Sequence, residues 1–187
     1  MNPLAWPIVL AWSAFFIHWI FFAHSSRATE QTEPLRSRLL HLGLVILAFA
    51  LVTVLDFSIL SWHILPRTYA LYAVGLIFLA LGLGVAVWAR RHLSTYWSGT
   101  ITIKSEHRLI RTGPYARVRH PIYSGFIVGM VGTALALGEL RGFLAVLILI
   151  IAYCRKIQIE EAWLLQRFGE EYRRYQRAVK ALLPFVL

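Results

Sequence analysis

At 187 residues the chain is the size of one domain, and with 58% hydrophobic against 15% charged residues it is too apolar for an ordinary soluble fold, leaving a single membrane-embedded domain over residues 1–187. A net charge of +10 would suit nucleic acid, but beside long apolar runs it reads as a surface for anionic lipid head groups, and no nucleic-acid partner is expected. The single cysteine, Cys154, excludes an intrachain disulfide and any cysteine-rich metal site.

Pro3 to Ala23 carries no charged residue and is long enough to cross a hydrocarbon core of about 30 Å at about 1.5 Å per residue. It is a full-length span rather than a short signal core, so it is expected to stay as the first helix. A polar linker from His24 to Arg38 contains Pro34, which breaks any helix. Leu39 to Leu60 is the second expected span, with Asp56 near its interfacial end, and Thr68 to Ala89 is the third, carrying Gly75, Gly82 and Gly84. Small residues on a membrane helix ordinarily permit close helix packing.

The stretch from Arg90 to His120 is polar and basic, with Tyr96, Trp97 and Tyr115 as its larger rings. It turns at Gly113-Pro114 and feeds Arg119-His120 into Pro121, where an apolar run to Leu137 begins. Proline suits the first helical position because its missing N–H would be unpaired there, so Pro121 marks a helix start with His120 near the cap. The free N–H groups and positive dipole end of that helix, with Arg117, Arg119 and His120 beside them, predict a mouth that seats a carboxylate or phosphate. After a tight connection at Gly138 to Gly142, which predicts an antiparallel helical hairpin, Phe143 to Cys154 supplies only twelve apolar residues, roughly 18 Å of helix. Arg155, Lys156, Glu160 and Glu161 therefore come near the membrane boundary, where ionisable groups are costly and mark a functional site. From Ile159 to Leu183 the pattern becomes amphipathic, predicting an interfacial helix broken near Gly169.

Placing the first linker, the long loop and the tail on one side gathers seventeen of the nineteen basic residues there, with only Arg67 and Arg141 opposite. The positive-inside rule then predicts five crossings, the N-terminus outside, and the site and C-terminus in the cytoplasm. The seven histidines form no i, i+4 pair with a neighbouring acid, so no metal is expected. Glycine-rich nucleotide loops are likewise absent from the sequence.

The residues His107-x-Leu109-Ile110, Gly113-x-Tyr115-x-x-x-Arg119-His120-Pro121-x-Tyr123, Glu160-Glu161, Phe168-Gly169-x-Glu171-Tyr172-x-x-Tyr175 and Leu183-Pro184-Phe185, in that order, resemble the isoprenylcysteine carboxyl methyltransferase family over about residues 90–187. The resemblance implies an all-α polytopic membrane enzyme with five transmembrane helices, a C-terminal helical hairpin and an amphipathic C-terminal helix. It would move a methyl group from S-adenosylmethionine to the carboxylate of a lipidated small molecule or protein C-terminus, in a bacterial or archaeal cell membrane or in the endoplasmic reticulum. By the same likeness His107, Leu109, Tyr115, His120, Pro121, Tyr123, Glu160 and Glu161 would line the cofactor pocket. Gly82 and Gly84 would correspond to a glycine pair of related phospholipid N-methyltransferases. Arg119, Arg155, Lys156 and Glu161 would serve the transfer itself; the family places an arginine about one turn before the glutamates, where this chain offers Arg155 and Lys156.

The chemistry agrees with such a set of parts, since a carboxylate with a pKa of about 3.5 is ionised at neutral pH and needs no general base, only positioning and exclusion of water. An amine acceptor, as in the phospholipid N-methyltransferases, would need a base to take its proton. An NADPH-dependent membrane reductase and a non-catalytic membrane scaffold are the readings from other classes. Because Glu160 and Glu161 lie about 100° apart on a helix, they are expected to divide their labour. One would meet the cofactor and the other would hold the basic residues around Arg119. No particular oligomeric state is implied.

Overall fold

The structure is a computed structural model that describes residues 5–21, 29–53, 59–94, 102–104 and 109–183. Asp56, Tyr96, Trp97, His107, Pro184 and Phe185 lie outside the described residues. Among the described residues six α-helices make the fold: α1 (Trp6–Phe21), α2 (Leu35–Thr53), α3 (Tyr69–Leu93), α4 (Pro121–Leu137), α5 (Leu140–Phe168) and α6 (Glu170–Ala178). Helices α2, α3 and α5 are long and apolar enough to cross a membrane, while α1 and α4 are shorter apolar helices. Residues Thr29–Thr32 (β1) and Thr102–Lys104 (β2) pair antiparallel, a small ribbon that the all-helical expectation lacks.

Helix boundaries depart from hydropathy where charged residues are good helix formers. Helix α2 starts at Leu35, directly behind Pro34, so Arg36 and Arg38 belong to its first turn rather than to a linker. Helix α3 runs on to Leu93 and takes Arg90, Arg91 and His92 into its last turn, where cations complement the negative dipole end. The largest correction concerns α5. Hydropathy predicts a short span followed by a separate interfacial helix, yet α5 is one helix of 29 residues, because Arg, Lys, Gln, Glu, Ala and Leu sustain a helix as well as an apolar run does. It stops at Gly169, whose φ of +51° is a left-handed conformation that favours glycine.

The tightest seam joins α3 to α4 through small residues at matching intervals: Gly75, Gly82 and Ala86 on α3, and Gly125, Gly132 and Ala136 on α4. A Cβ added at Gly82 would lie 2.5 Å from the Gly125 carbonyl oxygen, and one at Gly132 would lie 2.5 Å from that of Gly75. The two backbones thus touch, which is how membrane helices gain packing energy without a hydrophobic drive between them. On the other side of α4, Phe126 meets Trp12, Phe15, Phe16 and Trp19 of α1, and Trp12 donates from Nε1 to Thr133 Oγ1 at 3.0 Å. This aromatic block belongs to a core that continues through Leu51, Leu79, Met130 and Leu149.

Gly138 ends α4 in a left-handed conformation, φ +67°, and α5 begins two residues later. Its carbonyl accepts from the backbone N–H groups of Ile64 and Leu65, so the corner between α4 and α5 is stapled to the segment before α3. Glu139 is buried there against Arg141, at 2.5 Å, with His63 at 3.5 Å.

Candidate active site

At the opposite end of α4 three segments converge: the residues leading into Pro121, the second half of α5, and the stretch that follows α6. A 3-10 turn over Gly113–Ala116 buries Pro114 and Tyr115. Gly113 (φ +60°) lies against the His92 ring, and His92 Nε2 is 2.8 Å from Thr112 Oγ1, which fixes the loop on the end of α3. Tyr175 of α6 donates its hydroxyl to the Tyr115 carbonyl at 2.6 Å. Burial pushes the Tyr115 phenol well above its ordinary value, with Glu160 and Tyr175 adding to the effect, and burial also raises Tyr175, to about 12.

The chain after α6 runs beside residues 118–120 in a parallel pairing. Arg119 N donates to Lys180 O at 2.8 Å and His120 N to Ala181 O at 3.0 Å, while Ser124 Oγ donates to Leu182 O at 2.6 Å. This strap holds His120 at the N-cap of α4, where the residue is only 6% exposed. The ring stacks on Tyr123 with 5.4 Å between centroids and 6° between planes, and Tyr123 stacks in turn on Tyr153 at 4.7 Å. Tyr153 faces His41 of α2 at 5.6 Å. A column of four rings thus leads from the strap into the bundle.

The two adjacent glutamates meet different partners. Glu161 Oε1 accepts from Arg119 Nε at 2.7 Å and from His120 Nε2 at 3.0 Å, and its Oε2 accepts from Gln176 Nε2 at 2.8 Å. Glu160 Oε2 accepts the Tyr123 hydroxyl at 2.8 Å and lies 3.7 Å from His120 Nδ1. The Glu160 side chain keeps 33% of its surface exposed against 15% for Glu161. One carboxylate therefore closes an internal network and the other faces outward from it. Lys156, one turn earlier on α5, is 7% exposed with its Nζ 5.8 Å from the Tyr123 ring centroid.

A family model described as phospholipid methyltransferase matches residues 70–171. A probable protein-S-isoprenylcysteine O-methyltransferase of Oryza sativa subsp. indica is 31% identical over 166 residues, spanning 87% of this chain and 85% of the relative. The protein-S-isoprenylcysteine O-methyltransferase of Schizosaccharomyces pombe is 37% identical over 82 residues, 43% of this chain and 35% of that one. Among solved structures, the eukaryotic intramembrane Ras methyltransferase (isoprenylcysteine carboxyl methyltransferase) superposes with a TM-score of 0.59 at 27% identity, covering 79% of this chain and 63% of that chain. The chain belongs to the isoprenylcysteine carboxyl methyltransferase family. It is a membrane methyltransferase, and its methyl donor is S-adenosylmethionine.

Of the residues singled out in the sequence, the structure of this family member gathers Arg119, His120, Pro121, Tyr123, Lys156, Glu160 and Glu161 at one mouth, with Tyr115 behind them. Leu109 and Ile110 are half-buried, Ile110 against the core. Arg155 is drawn away, donating to Ser37 Oγ of α2 at 3.0 Å. Gly82 sits in the α3–α4 seam, and Gly84 is exposed, with open space where a side chain would stand; two residues apart on a helix is about 200°, so the two cannot face one site.

The mouth also differs from the open anion seat that its basic sequence predicts. Arg119 is committed to Glu161 and, through Nη1, to the carbonyls of Gln176 and Val179, and two carboxylates share the space. The set that remains still fits the methyl donor, which carries both charges: Glu160 offers a half-buried carboxylate for its cationic groups, and α4 presents an N-terminus with no side-chain cap from His120. Tyr153, Ser124 and Gln176 escaped sequence reasoning. Tyr153 stands within an apolar run, and the roles of the other two depend on carbonyls and carboxylates far away in the chain.

Proposed function

We propose that this methyltransferase methylates the carboxylate of an isoprenylcysteine, borne by a lipidated protein C-terminus or a small lipidated molecule, at the mouth formed by α4, α5 and the strap. The observation that carries the reading is Lys156. A buried cation beside the Tyr123 ring, one turn before Glu160, is the group to hold a carboxylate that would otherwise stay in water.

Bound here, S-adenosylmethionine would supply an electrophilic methyl on a positively charged sulfur, which would keep the electron pair of the S–CH₃ bond as the acceptor oxygen takes the methyl. The protein has no proton to move, because the acceptor arrives ionised. Its residues position and exclude water. Glu160 faces the cationic portion of the donor, with the Tyr123 hydroxyl holding its Oε2, and His120 stands beside it. Glu161 acts at one remove, fixing Arg119 and His120. Lys156 orients the acceptor carboxylate, and burial among Tyr123, Tyr153 and the apolar helices strengthens that attraction. Arg155 joins α2 to α5 rather than meeting substrate. Leu109 and Tyr115 complete the cofactor side through the loop before α4.

In the membrane, α1 to α5 make five crossings, with α4 and α5 as a hairpin, the N-terminus outside, and the mouth, α6 and the strap in the cytoplasm. The donor enters from the cytoplasm and the lipid tail from the side, between helices.

The test separates donor from acceptor. Lys156→Met should raise the KM for a prenylated cysteine carboxylate at least tenfold while the affinity for S-adenosylhomocysteine changes less than twofold. An unchanged acceptor KM would remove Lys156 from the acceptor site.

A further inference from the structure

We infer that the outer face of α6 and the strap that follows it form a docking surface for the phosphates of anionic phospholipids, and that docking there steadies the strap across the mouth. The inference rests on the proposed crossings, which put α6 at the cytoplasmic surface of the membrane. Net charge by itself gives lipid contact no particular place, and the structure gives it one.

Helix α6 has two faces. Tyr172 and Tyr175 are its buried side, and Tyr175 ties it to the Tyr115 carbonyl. Arg173, Arg174 and Arg177 fall within about 100° of one another on the opposite side, and all three are exposed. Glu170 is shared between two of them, 2.7 Å from Arg173 and 4.0 Å from Arg177. Arg174 has no acidic partner among the described residues. The same holds for Arg117 ahead of the mouth, Arg167 in the last turn of α5 and Lys180 of the strap, each of them exposed. A surface with this surplus of guanidinium groups, whose paired N–H donors match phosphate oxygens, calls for an anionic partner.

Depth decides which anion. Helix α5 is 29 residues long, about 43 Å at about 1.5 Å per residue, and so outruns a hydrocarbon core of about 30 Å by about 13 Å. Its last turns therefore rise through the head-group layer and deliver α6 at the level of the phosphates, where surface cations are drawn to anionic lipid. The strap adds an apolar contact, since Leu183, three residues after Lys180, is 47% exposed, which suits a lipid interface rather than an acidic peptide in water. The same strap holds the mouth. Its successive carbonyls, Lys180 O, Ala181 O and Leu182 O, accept from Arg119 N, His120 N and Ser124 Oγ, so a strap held by lipid keeps those bonds closed.

The test compares amide hydrogen exchange of the full chain in nanodiscs of phosphatidylcholine alone and of phosphatidylcholine mixed with phosphatidylglycerol. Phosphatidylglycerol should slow exchange over residues 170–183 and at the Arg119 and His120 amides about fivefold, and high salt should remove the difference. The triple variant Arg167→Gln, Arg174→Gln, Arg177→Gln keeps helix propensity and should exchange alike in the two discs, at the rate of wild type in neutral lipid. A nitroxide on Ala178→Cys, an exposed position of α6, in a Cys154→Ser background should report head-group depth in both discs. Equal exchange of wild type in the two discs, with the label at head-group depth, would overturn the docking. So would a lipid effect that survives in the triple variant, or protection by poly-glutamate in neutral discs with none from phosphatidylglycerol. A label lying in bulk water in both discs would instead overturn the placement of α6 at the membrane surface.

Discussion

The α3–α4 seam and the α4 mouth lie on the same helix and are held by opposite means. In the seam, Gly75, Gly82, Gly125 and Gly132 let two backbones touch, and there is no room for one added carbon. At the mouth, Arg119, His120, Gln176 and Glu161 are tied by directed hydrogen bonds. The seam therefore responds to volume and is indifferent to charge, whereas the mouth responds to charge and to donor count. A rigid α4 is what the seam supplies, and the mouth uses that rigidity to hold a histidine and two carboxylates in fixed relation.

Volume should break the seam most severely. Gly82→Ala sets a methyl carbon against the α4 backbone, where nothing flexible can give way, and should cost about 3 kcal/mol, the upper end for overpacking. Gly84→Ala, two positions on but exposed with open space around it, should be neutral or stabilising by up to about 1 kcal/mol through helix propensity. Thermal unfolding in detergent of the two variants side by side checks this, and equal effects would dissolve the assignment of Gly82 to the seam.

At the mouth the same probe should show sensitivity to charge without a change in size. Glu161→Gln keeps the shape but leaves Arg119 without its counter-ion, in a place where the two side chains are 11% and 15% exposed. The loss should be about 2 kcal/mol, below the range for a fully buried pair because solvent still reaches it. Turnover should fall more than cofactor affinity, which kinetics and calorimetry on the variant would separate.

The smallest effect should come from the tyrosines that close the loop. Burial raises the Tyr175 phenol to about 12, so the folded state favours the neutral form. The sign follows from that direction: stability from this group is fully present below its ordinary value of 10.0 and is lost as pH climbs from there toward 12. The unfolding midpoint of wild type should fall across that window, and Tyr175→Phe should flatten part of the fall. A profile identical in the two proteins would mean that Tyr175 does not sense its surroundings.

Much of this was legible in the chain. Pro121 and Gly138 bound α4 because a proline and a left-handed glycine leave little choice of conformation, and Gly169 ends α5 for the same reason. The gathering of His120, Tyr123, Glu160 and Glu161 was legible as well, since a family pattern carries those residues together. The extent of α5 was not, because hydropathy falls at Arg155 while helix propensity does not. Nor was the fate of Arg119: two of its partners are the carbonyls of Gln176 and Val179, and every residue type has a carbonyl. Gly82 and Gly84 looked alike as residues and differ only in which way the helix turns them.

In the proposed division of labour Glu160 faces the methyl donor while Glu161 holds the mouth together. Calorimetric titration of S-adenosylhomocysteine into wild type and Glu160→Gln tests it most directly. Wild type should bind, and the variant should bind at least tenfold more weakly with its thermal midpoint unchanged. Equal affinity in the two proteins would contradict it.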